Sequence, residues 1–181
     1  MSDNETDILL MRKVADGDEA AARELVRKWQ KPLINFFYRS VRNVHSAEDL
    51  AQQTFVKLCR SAKGYAPTAA FSTYIFHIAN NVLISDFRRR SRRNVELCDP
   101  AELPAVCDDK NEISSDEIRR GFEDAVQKLP DNHRTAILLL CQQELSYEEI
   151  AAAMDTSVAN VKTWIHRARL RLRELLGDLL D

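Results

Sequence analysis

Glycine and proline are scarce, with 4 and 5 residues among 181. With few β-branched runs, that scarcity argues for helices over strands. No Gly-rich phosphate loop, metal cluster or nucleophile motif is present, and the four histidines are scattered. An enzyme is therefore not expected, nor a bound metal or cofactor. No apolar run approaches the roughly 20 residues of a membrane span, and no signal peptide precedes the first helix. The four cysteines, Cys59, Cys98, Cys107 and Cys141, include no C-x-x-C pair. They read as reduced thiols of a cytoplasmic protein rather than a zinc site or disulfide scaffold. A redox pairing of Cys98 with Cys107 is left open by spacing alone. Charge of one sign is also missing, because the formal net charge is only -2.

That average hides segregated blocks. Five of the six residues from Arg88 to Arg93 are arginine. From Glu96 to Glu117 there are eight acids and one lysine, and from Lys162 to Arg173 five basic residues and no acid. Screening confines each field to roughly 8–10 Å, so a basic block can bind phosphate whatever the total charge.

Along the chain, Asp7–Val14 reads as a short helix stopped by Asp16-Gly17-Asp18. From Glu19 to Val41, Leu25, Trp29, Leu33, Phe36 and Phe37 recur at helical spacing, with a kink or break expected at Pro32. Ser46 opens the next helix as its N-cap, and that helix fades at Lys63-Gly64. A loop over residues 64–70 precedes one long helix, Phe71 to Arg92. Asn94 to Ser115 holds Pro100 and Pro104, many acids and no periodicity, and reads as an acidic linker. Helices follow from Asp116, from Asp131, after the capping box Ser146-Tyr147-Glu148-Glu149, and from Val158. The expected fold is all-α: a helical domain over residues 1–93, an acidic linker over 94–115, and a C-terminal helix-turn-helix domain over 116–181.

The last helix divides by face. Val161, Ile165, Ala168, Leu172 and Leu175 form one apolar stripe. The opposite arc carries Asn160, Lys162, Thr163, His166 and Arg167 in the first turns, where a recognition helix meets base edges. Arg169 and Arg171 suit the sugar-phosphate backbone. Ser157 is a good N-cap whose neighbouring amides also suit a phosphate. The bland alternative is a solvated basic helix on a bundle.

The long helix from Phe71 has two apolar strips, one of Phe71, Ile75, Ile78 and Val82 and one of Phe76, Leu83 and Phe87. Between them run Tyr74, His77, Asn81, Ser85 and Arg88, ending in the block with Arg89 and Arg90. Aromatics that stack, amides that read edges and arginines that hold phosphates suit single-stranded DNA. The preceding helix carries Asp49, Gln52, Gln53 and Phe55. This is either an ordinary amphipathic face or a docking surface, an exposed Phe beside amides being typical of protein contacts.

These motifs, in this order, resemble a known family. Ala47-Glu48-Asp49-Leu50-Ala51-Gln52-Gln53-Thr54-Phe55 is similar to the polymerase-binding signature of bacterial sigma factors. The run from Phe71 to Asn81 is similar to their promoter-melting helix. Ser146 to Ala151, with Val161-Lys162 and Arg167-Ala168-Arg169, is similar to their helix-turn-helix. The two-domain layout resembles the extracytoplasmic-function (ECF) group. The resemblance implies that Asp49, Gln52, Gln53 and Phe55 dock on the β′ clamp helices of core RNA polymerase, with the β subunit as a further contact. It implies that Tyr74, His77, Asn80, Asn81 and Ser85 melt the −10 element, helped by a loop over residues 64–70 that captures a flipped base. Asn160, Lys162, Thr163, His166 and Arg167 would read the −35 element. Partners would thus be core polymerase, duplex and single-stranded promoter DNA, and an anti-sigma factor. Asp155 stands where the family often has Gly. A self-standing helix-turn-helix regulator is the alternative, but it would need a dimer interface or ligand domain, and neither is obvious.

Overall fold

A computed structural model describes residues 3–93 and 113–180, with side chains over 3–92 and 120–177. Most of the expected acidic linker, with Cys98 and Cys107, lies outside the described residues. Among those residues the regular structure is helical.

The first helix, α1, is Asp3–Ala15. It ends in a turn where Gly17 takes φ 90°, a conformation that favours glycine. Asp18 then caps α2, Glu19–Val41, its Oδ1 accepting from the amides of Ala20 and Ala21 at 2.8 and 3.2 Å. Of the kink or break expected at Pro32, the break does not occur: the helix runs on through it. Pro32 removes one backbone donor, but Leu25, Leu33, Phe36 and Phe37 are buried on either side of it and favour a continuous helix. Arg42 closes α2 in the left-handed region at φ 54°. The next helix, α3, is Val44–Ser61, capped by Asn43, whose Oδ1 accepts from Ser46 N–H at 2.8 Å. The start therefore lies earlier than Ser46, because Asn43 offers its acceptor first. A 3-10 turn over Ala62–Gly64 leads through residues 65–70 into α4, Phe71–Arg93.

In the C-terminal half, α5 is Ile113–Gln127, starting before the expected Asp116, and α6 is Asp131–Gln143. The capping box forms as expected at the head of α7, Tyr147–Ala153: Ser146 Oγ accepts from Glu149 N–H, and Ser146 N–H donates to Glu149 Oε2. Asp155 makes the turn at φ 51°, which Asp tolerates better than most residues. Then α8 runs Val158–Leu180.

The two halves are packed on each other, although no local pattern along the chain signals it. Contacts join α4 to α7 and α2 to α6 and α5. The chemistry centres on the carbonyls that α2 leaves unpaired at its C-terminus. Arg39 O accepts from Gln127 Nε2 at 2.6 Å, and Ser40 O from Arg134 Nη1 at 3.2 Å. Arg42 forms ion pairs with Glu123 and Asp124. Thr73 Oγ1 meets Glu149 Oε1 at 3.4 Å.

Candidate nucleic-acid interface

The expected apolar stripe on α8 is the one that folds inward. Val161, Ile165, Ala168 and Leu172 are buried, and Leu175 and Trp164 pack partly against them. The opposite arc, Asn160, Lys162, Thr163, His166 and Arg167, is exposed, as are Arg169 and Arg171. Ser157 Oγ accepts from Asn160 N–H at 3.2 Å, so the N-cap forms. Asn160 Nδ2 donates to Thr156 Oγ1 at 3.0 Å, and Thr163 Oγ1 to Ala159 O at 2.9 Å. Each keeps capacity for a base: Asn160 its Oδ1 and second Nδ2–H, and Thr163 the lone pairs of its Oγ1. Arg171 pairs with Glu174 at 2.9 Å, whereas Lys162 and Arg167 have no acidic partner among the described residues. These two cations are therefore free to take phosphate or base acceptors.

One neighbour of this face had no signal in the sequence. His133, half-buried on α6, has its pKa lowered first by burial and then by the charge of Arg167. The folded state thus favours the neutral imidazole. Unfolded His133 takes up its proton near the ordinary value of about 6.5, so this contribution to stability is present above that pH and falls as pH drops below it. We expect Arg167→Ala to raise the His133 pKa in an NMR titration. An unmoved titration would show that the two charges do not interact.

On α4, the exposed line is Asn81, Ser85 and Arg88, with His77 half-buried at its head. Asn81 Nδ2 and His77 Nε2 lie 3.1 Å apart, and Ser85 Oγ donates to Asn81 O. Ser85, Arg88, Arg89 and Arg92 line one concave basic surface, at the three- and four-residue steps of a single helical face. Arg92 had not been singled out in the sequence. Arg89 and Arg90 clasp the buried Asp86 at 2.7 and 2.6 Å, and this anchors the arginine block. Arg89 still lines the basic surface, but Arg90 does not. Tyr74 is half-buried, its ring 4.7 Å from that of Tyr65 and its hydroxyl donating to Ser61 Oγ at 2.7 Å. Asn80 is buried, two turns beyond Thr73 on the same side of α4, and no DNA could reach it in this arrangement.

The α3 face differs from expectation in one residue. Asp49, Gln52 and Gln53 are exposed, but Phe55 is 9% exposed and belongs to the core. Its register places it with Ala51 and Leu58, both buried. Val56, at 49% exposure, completes the outward strip with Asp49, Gln52 and Gln53. The signal was the spacing 49, 52, 53, 56; the size of the Phe ring obscured it.

Among the described residues no group of side chains could hold a metal ion, and no helix is long and apolar enough to cross a membrane. Residues 25–93 match the family model of sigma-70 region 2, and residues 119–172 that of sigma-70, region 4. The chain is 31% identical over 179 residues to the ECF RNA polymerase sigma factor SigW of Bacillus subtilis, with 93% of this chain and 96% of that protein covered. It is 31% identical over 191 residues to the ECF RNA polymerase sigma-E factor of Haemophilus influenzae, with 99% and 100% covered. The ECF RNA polymerase sigma factor SigE of Mycolicibacterium smegmatis is 34% identical over 169 residues, covering 90% of this chain, which spans 65% of that longer protein. By fold, the chain is similar to CnrH in its complex with the cytosolic domain of CnrY, at TM-score 0.71 and 24% identity over 96% of this chain and 98% of that one. The sigma factor RpoE of Bartonella quintana, in complex with the anti-sigma factor NepR, also gives TM-score 0.71, at 23% identity, with 86% and 96% covered.

Proposed function

The chain belongs to the ECF group of the sigma-70 family, and from this premise we propose that three of its surfaces divide the work of promoter-specific transcription initiation. A sigma factor binds core RNA polymerase and directs it to promoters; it is a non-catalytic subunit. In our reading, residues 1–93 carry polymerase docking and −10 melting, 94–115 the linker, and 116–181 recognition of the −35 element. The observation that carries the reading is one chain with two nucleic-acid faces of different chemistry. The exposed arc of α8 offers amide, hydroxyl and guanidinium groups to a major groove. The line His77, Asn81, Ser85 on α4, running into Arg88, Arg89 and Arg92, offers edge-reading groups and then phosphate contacts.

Asp49, Gln52, Gln53 and Val56 take the docking role on α3, against the β′ clamp helices. Tyr74 and the loop over residues 65–70 take the unstacked base, whose extrusion costs a few kcal/mol and is offset by stacking. Asn80 joins that set only if the packing that buries it opens. The place of action is the cytoplasm, and an anti-sigma protein, of the kind the Bartonella structure holds, is a further partner.

Reconstitution with core polymerase tests the reading. Promoter-specific transcription starts are expected, and tight DNA binding by the free chain without initiation would favour a self-standing regulator. Within the holoenzyme, Arg167→Ala should weaken promoter binding by roughly 5- to 150-fold, the worth of one bidentate base contact at about 1–3 kcal/mol. Core association should be unchanged in the same variant, and equal loss of both would reject the division of labour.

A further inference from the structure

The junction between the loop at residues 65–70 and α4 is held from a distance. The first amide of α4, Phe71 N–H, is one of the donors that a helix N-terminus leaves without an internal partner. The residue in the N-cap place is Ala70, whose carbonyl accepts from Tyr74 N–H at 3.2 Å. An alanine side chain cannot accept a hydrogen bond, so it cannot cap. The acceptor comes instead from Asn4 on α1, whose Oδ1 lies 2.7 Å from Phe71 N.

The neighbouring geometry makes α1 a rigid support for that bond. Asp7, one turn beyond Asn4, is buried, and both its oxygens accept from Lys28 Nζ on α2, at 2.8 and 2.9 Å. Leu10 and Met11 bury the next turn. Burial raises the Asp7 pKa, while the Lys28 hydrogen bond and charge pull it down. The other end of the loop is fixed as well. The Tyr65 ring lies 6.1 Å from Phe71 and 4.7 Å from Tyr74, and its buried hydroxyl has no hydrogen-bond partner among the described residues. Between these two anchors Ala66, Pro67, Thr68 and Ala69 are exposed. An exposed segment between two fixed ends can present one shape to a ligand without paying to order itself on binding.

We propose that α1 positions the base-capturing junction, with Asn4 as a positioning residue for −10 recognition that acts through Phe71 and the loop and does not itself touch DNA. This rests on the reading that the loop and α4 bind the melted −10 strand. The test compares Asn4→Ala, Asn4→Asp and Asn81→Ala holoenzymes. The probes are a single-stranded oligonucleotide carrying the −10 sequence, a −35 duplex and core polymerase. Asn4→Ala should lose roughly fivefold in affinity for the single strand, on the scale of one lost helix cap. Permanganate reactivity of the opened −10 thymines on duplex promoter should fall with it. Core and −35 affinities should hold, and Asn4→Asp, which keeps the acceptor, should restore the single-strand affinity. If Asn4→Ala binds the strand normally while Asn81→Ala does not, the positioning role is overturned and the reading of α4 stands. If neither variant loses single-strand affinity, the reading of α4 falls too. Parallel loss of core, −35 and single-strand binding by Asn4→Ala would reduce Asn4 to a folding residue and also overturn the proposal.

Discussion

Phe55→Ala should destabilise the protein by about 3–5 kcal/mol, the usual cost of emptying a buried Phe site. In a thermal melt that is on the order of a 10 °C fall in Tm for a chain of this size. The side chain is 9% exposed, within the core that includes Leu50, Ala51 and Leu58 of the same helix. Removing the ring leaves a cavity that these neighbours can fill only in part. Val56→Glu should behave in the opposite way. At 49% exposure its loss costs no more than about 0.5 kcal/mol. Its place in the strip with Asp49, Gln52 and Gln53 should make core polymerase binding fall by roughly tenfold, as for a modest interface contact. The paired melts and binding titrations decide the register of α3. A Phe55→Ala protein as stable as its parent, but unable to bind core polymerase, would return the docking role to Phe55.

The difference between Phe55 and Val56 shows what the sequence could convey. Both are apolar and adjacent, and one step along a helix turns a side chain by about 100°. The expectation followed the larger ring, and packing places it inward. Features written in local signals were legible: the bounds of α2, the start of α4 at Phe71, the capping box at Ser146 and the inward stripe of α8. Each depends on residues within one or two turns. The start of α3 was misplaced by the same local logic, because Asn43 and Ser46 are both good caps and only the path after Arg42 selects between them. What remained hidden joins residues far apart in the chain. Asn4 meets Phe71, Arg134 meets Ser40, Arg42 meets Glu123, and Arg167 acts on His133. No periodicity encodes such pairs. For the nucleic-acid faces, residue type and helical spacing were enough to mark the exposed arc of α8. They could not show that Asn80 is buried or that Arg90 is spent on Asp86.

Arg134→Ala should cost about 3–5 kcal/mol, the scale of breaking a buried charged network from one side. The guanidinium is at the junction of two helix ends. Its Nε donates to Val126 O at 3.1 Å, and its Nη2 to Gln127 O and Leu129 O at 2.7 and 2.9 Å. Its Nη1 reaches across to Ser40 O at 3.2 Å. These carbonyls include the negative ends of α5 and α2, which a cation stabilises; Val126 O also accepts from Leu129 N–H at 3.2 Å, so the other three depend most on the guanidinium. Burial lowers the Arg134 pKa, with the charge of Asp131 opposing, but an arginine remains protonated. Arg134→Lys keeps a charge but offers one compact donor group where a planar fork now spans four oxygens. It should therefore recover less than half of the loss in a urea titration. Full recovery by lysine would mean that charge alone matters here and that the fork geometry does not. The Ser40 bond adds a second readout, because it links the two halves. In the alanine variant the α2 terminus loses one of its two cross-domain donors among the described residues, Gln127 being the other. The halves should then separate more readily, and a fluorescence pair on α3 and α8 should report a longer mean distance. An unchanged distance with the expected loss of stability would confine Arg134 to the C-terminal half. A longer distance would mean that the same residue that closes α5 also holds the C-terminal half, with Glu149 of α7 against Thr73, onto the N-terminal one.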